Sequence, residues 1–435
     1  MQPKGHLLRI LGVAFGLAAV VGSVVGQGIL RTPGMVAGAV PDPAAMLGLW
    51  LLGGVIALIG GAVYVELGAS VPCAGGPYDY ARRAFGPAAA ALTGWALLVA
   101  MVVTCANLAV VVGEFTVRFG VVPTSSPTWP ALAALALFAA LNWAGTRFSG
   151  GAQIAFSAAK GAILAALVLV LFAHPGSAPA AAPVDTGSAL TLAGLALALR
   201  LIVGTYNGWQ DIALYGEELT DPGRALPRAM FGGLLGIIAL YLLVNLALLH
   251  VLSPEQMAGS TLAAADAAKV VMGSNAEIAL TGFGVLSVAA ITSLSLMGTT
   301  RVAFSLARGG MLPAALATVA PGGTPRRALL AVTLGAAGFV FAGNYDSTSS
   351  TSTTLYQVCV VIALLCAWRL RRREPDLARP WRMPLYPLPI VVALLANLAL
   401  LAAFVYDDPF NSLLGIALVG AIAAGELILR RSRRE

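Results

Sequence analysis

The sequence predicts an all-α polytopic membrane protein of about twelve transmembrane helices, the first and the sixth of them broken. Three observations carry that prediction. The 435 residues are 59% hydrophobic and 10% charged, with a mean hydropathy of +0.87, far from the roughly 45–50% apolar and 25% charged residues of soluble domains. Apolar stretches of spanning length recur near 7–40, 44–67, 88–115, 130–146, 151–173, 189–216, 229–252, 276–300, 327–343, 352–368, 384–405 and 411–429. Two of these stretches carry helix breakers where the hydrocarbon is deepest.

The first span contains VVGSVVGQGILRTPG, from Val20 to Gly34. Gly22, Gly26 and Gly28 crowd its middle and Pro33 follows, so two half-helices joined by unwound backbone at Gly26-Gln27-Gly28 are expected. The competing reading is close helix packing, since Gly12 to Gly16 and Gly22 to Gly26 fit the GxxxG spacing. Backbone unpaired at that depth must line a cavity or hold a ligand. Lys4 and Arg9 ahead of the apolar run resemble a secretory leader, but the many later spans favour a retained first helix.

Further along, Glu66 near the end of span two reads as a paired interfacial carboxylate before it reads as a proton carrier. Gly75-Gly76-Pro77 marks a turn before Arg82-Arg83. Span three carries Thr104, Cys105 and Asn107, and Asn107 either faces a cavity or bonds a neighbouring helix. Span five holds Lys160 well inside an apolar run, too deep to snorkel, which makes it a functional candidate. Ser157 to Lys160 matches S-x-x-K, but no KTG or SDN companion follows.

Span six, from Ala198 to Ala229, reads ALRLIVGTYNGWQDIALYGEELTDPGRALPRA. The turn-forming Asn207-Gly208 pair sits in mid-membrane between Tyr206 and Trp209, and Asp211 is placed to cap the half-helix that follows. Interrupted spans standing first and sixth, each opening a set of five, point to inverted repeats with a binding site between the breaks. The hydroxyls of span eight, from Ser287 to Thr300, suggest helix contacts with one or two groups left for a site.

Charge sets the orientation. With a cytoplasmic N-terminus, the inner side receives all the basic residues except Arg31, Arg118, Lys160, Arg200 and Lys269, which is the positive-inside pattern with both termini cytoplasmic. The net charge of +7 is thus topological, and no nucleic-acid partner is expected. The basic loop from Arg369 to Arg382 is a topology anchor first and a lipid head-group site second. The scattered cysteines, Cys73, Cys105, Cys359 and Cys366, contain no CxxC pair, and His6, His174 and His250 lie far apart, so no disulfide framework, metal or cofactor is expected. The absence of HExxH, a P-loop or a nucleophile-base arrangement argues against an enzyme or a nucleotide-driven pump.

Taken together, VVGQGILRTPG (Val24 to Gly34), YVELGASVPCAGGPYDYARRAFG (Tyr64 to Gly86), Lys160, TYNGWQDIALYGEELTDPGRALPRA, TRVAFSLARGGMLP (Thr300 to Pro313) and RRREPDLARPWRMPLYP (Arg371 to Pro387) make the chain resemble the amino acid-polyamine-organocation superfamily. Within it the chain is similar to bacterial L-amino acid and cationic amino acid transporter homologues. The resemblance implies a LeuT-type 5+5 inverted repeat, with residues 1–173 as the first repeat, 189–368 as the second and 384–429 as two additional helices. A multi-pass protein of the bacterial cytoplasmic membrane is expected, and no accessory subunit, since the cysteine positions offer no obvious disulfide to one.

The resemblance further implies that the substrate carboxylate meets backbone amides of Gly26, Gln27 and Gly28, where a half-helix N-terminus favours an anion. The substrate ammonium would meet carbonyls of Val24, Val25, Gly204, Thr205 and Asn207, with Asn107 nearby and Trp209 closing over the site. Lys160 matches a lysine that in sodium-independent members stands where relatives bind sodium, with Ser287 as its partner. It is either a titrating proton carrier or a fixed charge.

Gln27, Gln210-Asp211 and Arg31 depart from the common pattern and bear on the substrate's side chain. The expected function is exchange or proton symport of small to medium neutral amino acids by alternating access. The alternatives are a basic amino acid or polyamine antiporter, with Asp211 as counter-charge, and an amino acid sensor that transports nothing.

Overall fold

The computed structural model describes residues 6–26, 28–118, 126–175, 190–260, 262–273, 275–342 and 345–432. The first span divides into α1 (Val13–Val24) and α2 (Gly28–Ala39), bent by 45° where the glycines interrupt it. Next come α3 (Pro43–Ser70), α4 (Pro77–Phe85), α5 (Pro87–Arg118), α6 (Thr128–Trp143) and α7 (Thr146–Ala173). The second half runs through α8 (Leu192–Thr205), a 3-10 turn over Trp209–Tyr215, α9 (Pro222–Val251), the short α10 (Pro254–Ala258) and α11 (Ala263–Met272), α12 (Asn275–Arg308), α13 (Arg326–Ala342) and α14 (Tyr345–Arg373). Two final helices, α15 (Leu388–Asp407) and α16 (Pro409–Ser432), end it.

Eight of these helices are long and apolar enough to cross a bilayer, and the bent pair α1 and α2 forms a ninth candidate. The remaining expected spans correspond to shorter pieces: α6, α8 with its 3-10 turn, and α13. Among the described residues no strand forms; one isolated bridge joins Leu11 to Leu219. The architecture is that of an all-α polytopic LeuT-type membrane protein, with spans one and six broken.

Local chemistry explains the ends. Asp42 caps α3 by accepting from the Ala45 amide, with Pro43 at the first position, and Asp221 with Pro222 repeats the device at α9. Glycine lets the central helices approach closely. A Cβ at Gly16 would lie 2.6 Å from Ala229, and one at Gly233 would lie 2.8 Å from Val20, so α1 and α9 pack backbone to backbone. The GxxxG reading therefore holds at Gly16, alongside the broken-helix reading. Burial falls outward from α12, whose apolar window is 72% buried, to α16 at 22%. The final helices are thus peripheral and the breaks central.

Acidic and basic residues meet at the end of the bundle where the arginines cluster. Arg301 and Glu218 form a fully buried pair at 2.8 Å, and Thr146 joins both. Arg308 forks onto Glu217 at 2.8 Å. Glu66 is held by Arg371, Arg379 and the Met383 amide, the paired arrangement expected for it. In the loop beyond, Arg83 bonds Glu374 and holds its carboxyl below the usual range.

Candidate substrate site at two facing helix breaks

Helix α1 ends at Val24, where Val25 turns to extended backbone (φ −73°, ψ 102°) just ahead of Gly26. A helix C-terminus leaves its last carbonyls without amide partners and carries partial negative charge. Neighbouring helices supply the donors. Lys160, buried on α7, donates from Nζ to the Gly22 and Val25 carbonyls, both at 2.8 Å. Ser287 on α12 donates to the same Val25 oxygen at 3.3 Å, and the Tyr241 hydroxyl on α9 donates to Val24 at 3.0 Å.

The face of α7 continues the arrangement. Gln153 donates to Ser157 at 3.2 Å, and Ser157 donates to the Ala18 carbonyl at 2.7 Å. Gln153, Ser157 and Lys160 lie one helical turn apart and so form a polar seam along α1. This gives the S-x-x-K pair a structural occupation.

Span six breaks differently. Tyr206 and Asn207 leave the helix, and Gly208 adopts φ +116°, a conformation L side chains rarely take. Its amide donates to Asn207 Oδ1 at 3.1 Å and to Gln210 Oε1 at 3.0 Å. The 3-10 turn then begins at Trp209. Trp209 packs edge-on against Tyr64, with ring centres 5.3 Å apart, and over Gly60, where a Cβ would meet the indole at 2.9 Å.

The two breaks touch. A Cβ at Gly208 would lie 2.9 Å from the Ser23 carbonyl oxygen, and one at Gly28 would lie 3.1 Å from Thr205 Cγ2. Thr32 and Thr205 share a hydroxyl hydrogen bond of 2.8 Å across the same seam. Gly28 and Gly204 are exposed beside it, whereas Gly26 is buried facing Ile291.

Of the expected site residues, Gly26, Gly28 and Thr205 thus lie along one seam, which Gly208 joins, with Lys160 and Ser287 behind it. Gln27 lies outside the described residues. Three expectations change. The Val25 carbonyl, expected to meet the substrate ammonium, already accepts from Lys160 and Ser287, which occupy both of its lone pairs. The Asn107 amide oxygen accepts from Thr348 on α14 at 3.1 Å, a helix contact rather than a substrate contact. The Gly204 carbonyl accepts the Asn207 amide at 3.2 Å. Beyond the seam, Arg200 is paired with Asp407.

Sequence reasoning missed Tyr241 and Tyr356. Tyr241 lies mid-helix in an apolar run and offers no local signal. Tyr356 donates to Asp211 at 2.6 Å. Among the described residues no cluster of His, Cys, Asp and Glu suits a metal ion.

Comparison with known proteins gives the family. An amino acid permease family model matches residues 13–421. The chain is 28% identical to the serine/threonine exchanger SteT of Bacillus subtilis (strain 168), covering 94% of each protein. It is 30% identical to an uncharacterized transporter of Mycobacterium tuberculosis (strain ATCC 25618 / H37Rv), covering 99% of this chain and 94% of that one. It is 27% identical to the Asc-type amino acid transporter 1 of Mus musculus, over 95% of this chain and 79% of the relative. The chain belongs to the amino acid permease family of the amino acid-polyamine-organocation superfamily, and is a multi-pass membrane transporter of amino acids rather than an enzyme.

Proposed function

We propose that the protein is a sodium-independent exchanger of small to medium neutral L-amino acids in the cytoplasmic membrane, with both termini and the arginine-rich end of the bundle inside. The observation that carries this reading is the Lys160 ammonium bonded to the Gly22 and Val25 carbonyls. A cation fixed there stabilises the end of α1 as a bound metal cation would, with two of its three N–H donors engaged. On this reading Lys160 acts as a cap on α1 rather than as a cargo proton site.

The substrate carboxylate is received at the start of α2, by the amides of Gly26, Gln27 and Gly28, where free N–H groups and the positive end of the half-helix converge. The ammonium meets the carbonyls left along the seam, at Val24 and Thr205. Trp209, wedged between Gly60 and Tyr64, moves with span six to close the site. Residues 1–173 and 189–368 are the two repeats whose relative rocking alternates access, and the Glu218–Arg301–Thr146 cluster holds the inner side shut.

The test is uptake of a labelled mixture of neutral amino acids into proteoliposomes. Uptake should require amino acid inside, persist when choline replaces sodium, and ignore an inward proton gradient. Accumulation by empty vesicles under a proton gradient alone would replace exchange with symport.

A further inference from the structure

The arginines at the crowded end of the bundle differ in what they bond. The basic loop spends Arg371 and Arg379 on Glu66, and Arg369 and Arg373 on the Ala84 carbonyl. Arg9, Arg147, Arg326 and Arg327 take part in no ion pair among the described residues. Composition explains the difference. Residues 1–41, 128–173 and 309–342 contain neither Asp nor Glu, and Glu218, the carboxylate that Thr146 bonds, is already held by Arg301.

Folding brings these four cations to one corner. The Thr146 amide donates to the Gly322 carbonyl at 2.9 Å, and a Cβ at Gly323 would lie 3.0 Å from both Leu8 Cδ1 and Thr146 Oγ1. Arg9 and Arg147 thus each follow a residue seated on this turn, and Arg326 and Arg327 open α13 just beyond it. Three of the four lie in the first turn of a helix, α7 or α13, where no acidic residue offsets them. Cations are disfavoured at that end of a helix, so an anion from outside the chain would relieve both helices.

Arg326 is the fixed member of the group. Its Nε donates to the Trp143 carbonyl at 3.3 Å, and its guanidinium carbon lies 5.1 Å from the centre of the Trp143 ring. Its Nη groups have no hydrogen-bond partner among the described residues. That leaves a held guanidinium with donors free for the oxygens of a phosphate.

The surroundings select a lipid over a soluble anion. Trp143 and Phe148 are 42% and 57% exposed beside the arginines, as aromatic residues are at a membrane interface. Leu330 and Leu334 follow Arg327 along the exposed face of α13, at helical spacing. A headgroup at Arg326 can therefore lay an acyl chain along this stripe into the hydrocarbon, whereas a nucleotide would set polar surface against it.

We propose that this corner, where α6 and α7 meet the start of α13, binds the phosphate of an anionic phospholipid from the leaflet at the arginine-rich end. The site is separate from the seam and needs no assumption about the transported substrate.

The experiment titrates the purified full-length protein in neutral detergent with phosphatidylglycerol, phosphatidylcholine or inorganic phosphate. Thermal melting gives the apparent affinity, and native mass spectrometry counts the lipid retained. Wild type should hold phosphatidylglycerol at least about twentyfold more tightly than phosphatidylcholine, since each guanidinium near an anionic lipid contributes roughly a fivefold factor. Arg147→Gln/Arg327→Gln should lose most of that preference. Arg82→Gln/Arg224→Gln removes the same charge from arginines at the same end that face Asp79 and Asp221, and should keep the preference within about twofold. Arg326→Lys retains the charge without the fork, so it should weaken phosphatidylglycerol alone. Equal binding of the two lipids by wild type overturns the site, as does an equal loss in both double variants, which would show a diffuse field. Stabilisation by millimolar inorganic phosphate as large as that by phosphatidylglycerol would overturn the lipid in favour of a free anion.

Discussion

The two breaks solve one problem, unpaired backbone inside a membrane, in opposite ways. In span one the exposed acceptors are satisfied from a distance, by Lys160 on α7, Tyr241 on α9 and Ser287 on α12. In span six the exposed donor is satisfied from within, by Asn207 and Gln210, which also bond each other at 2.5 Å. The first break is held only while three other helices stay in register with it. The second carries its own partners and can move as a unit. Any rearrangement that shifts α7, α9 or α12 against α1 must exchange hydrogen bonds at the Gly22, Val24 and Val25 carbonyls, whereas span six can hinge at Gly208 without losing its internal bonds. That asymmetry suits a site where one element senses the bundle and the other closes.

The largest test removes the long-range donor. Lys160→Ala leaves the Gly22 carbonyl without its partner and strips a charge from the end of the α1 dipole. Hydrogen bonds from charged groups contribute about 1.5–3 kcal/mol each, and unsatisfied buried acceptors add a penalty, so a loss of roughly 3–5 kcal/mol is expected. Thermal melting of the detergent-solubilised protein should drop sharply and exchange should fall to background. A variant that melts and exchanges as wild type would show that the first break is as self-contained as the second.

The next test attacks the autonomous break. Gly208→Ala forces a side chain into φ +116° and sets its Cβ 2.9 Å from the Ser23 oxygen. Strain of this kind costs on the order of 1–3 kcal/mol, and here it falls on the contact between the breaks. Exchange should drop at least tenfold while the melting point changes less than for Lys160→Ala. Equal effects of the two substitutions on melting would erase the distinction between a remote and a local solution.

How much of this was legible in the sequence follows from the same asymmetry. The span-six break was readable because its cause is local: Asn207-Gly208 is a turn signal, and the residues that satisfy it lie within three positions. The span-one break was readable as a break, from Gly22, Gly26 and Gly28, and Lys160 stood out as a charge too deep to be idle. Its partners were only partly readable, because Tyr241 sits 217 residues from Val24 and nothing in its own helix marks it. For Asn107 both readings stayed open, since an amide facing α14 and one facing a cavity look identical in sequence; the contact to Thr348 is the helix contact. The Asp211–Tyr356 contact, 145 residues apart, needed the packing of α14 against span six to be seen.

The smallest test separates the donors that share one acceptor. Ser287 reaches the Val25 oxygen at 3.3 Å, longer than the 2.8 Å of Lys160, and its hydroxyl is neutral. Ser287→Ala removes one of two donors and leaves the carbonyl satisfied, so about 0.5–1.5 kcal/mol of stability should be lost and the exchange KM should stay within about twofold of wild type. If Lys160 and Ser287 act as one unit on Val25, the double variant should cost more than the sum of the singles, since only the second loss leaves the carbonyl without a side-chain donor. Strict additivity would mean that the serine acts on α12 packing alone. The first break would then depend on Lys160 and Tyr241, with α12 only a wall against which α1 rests.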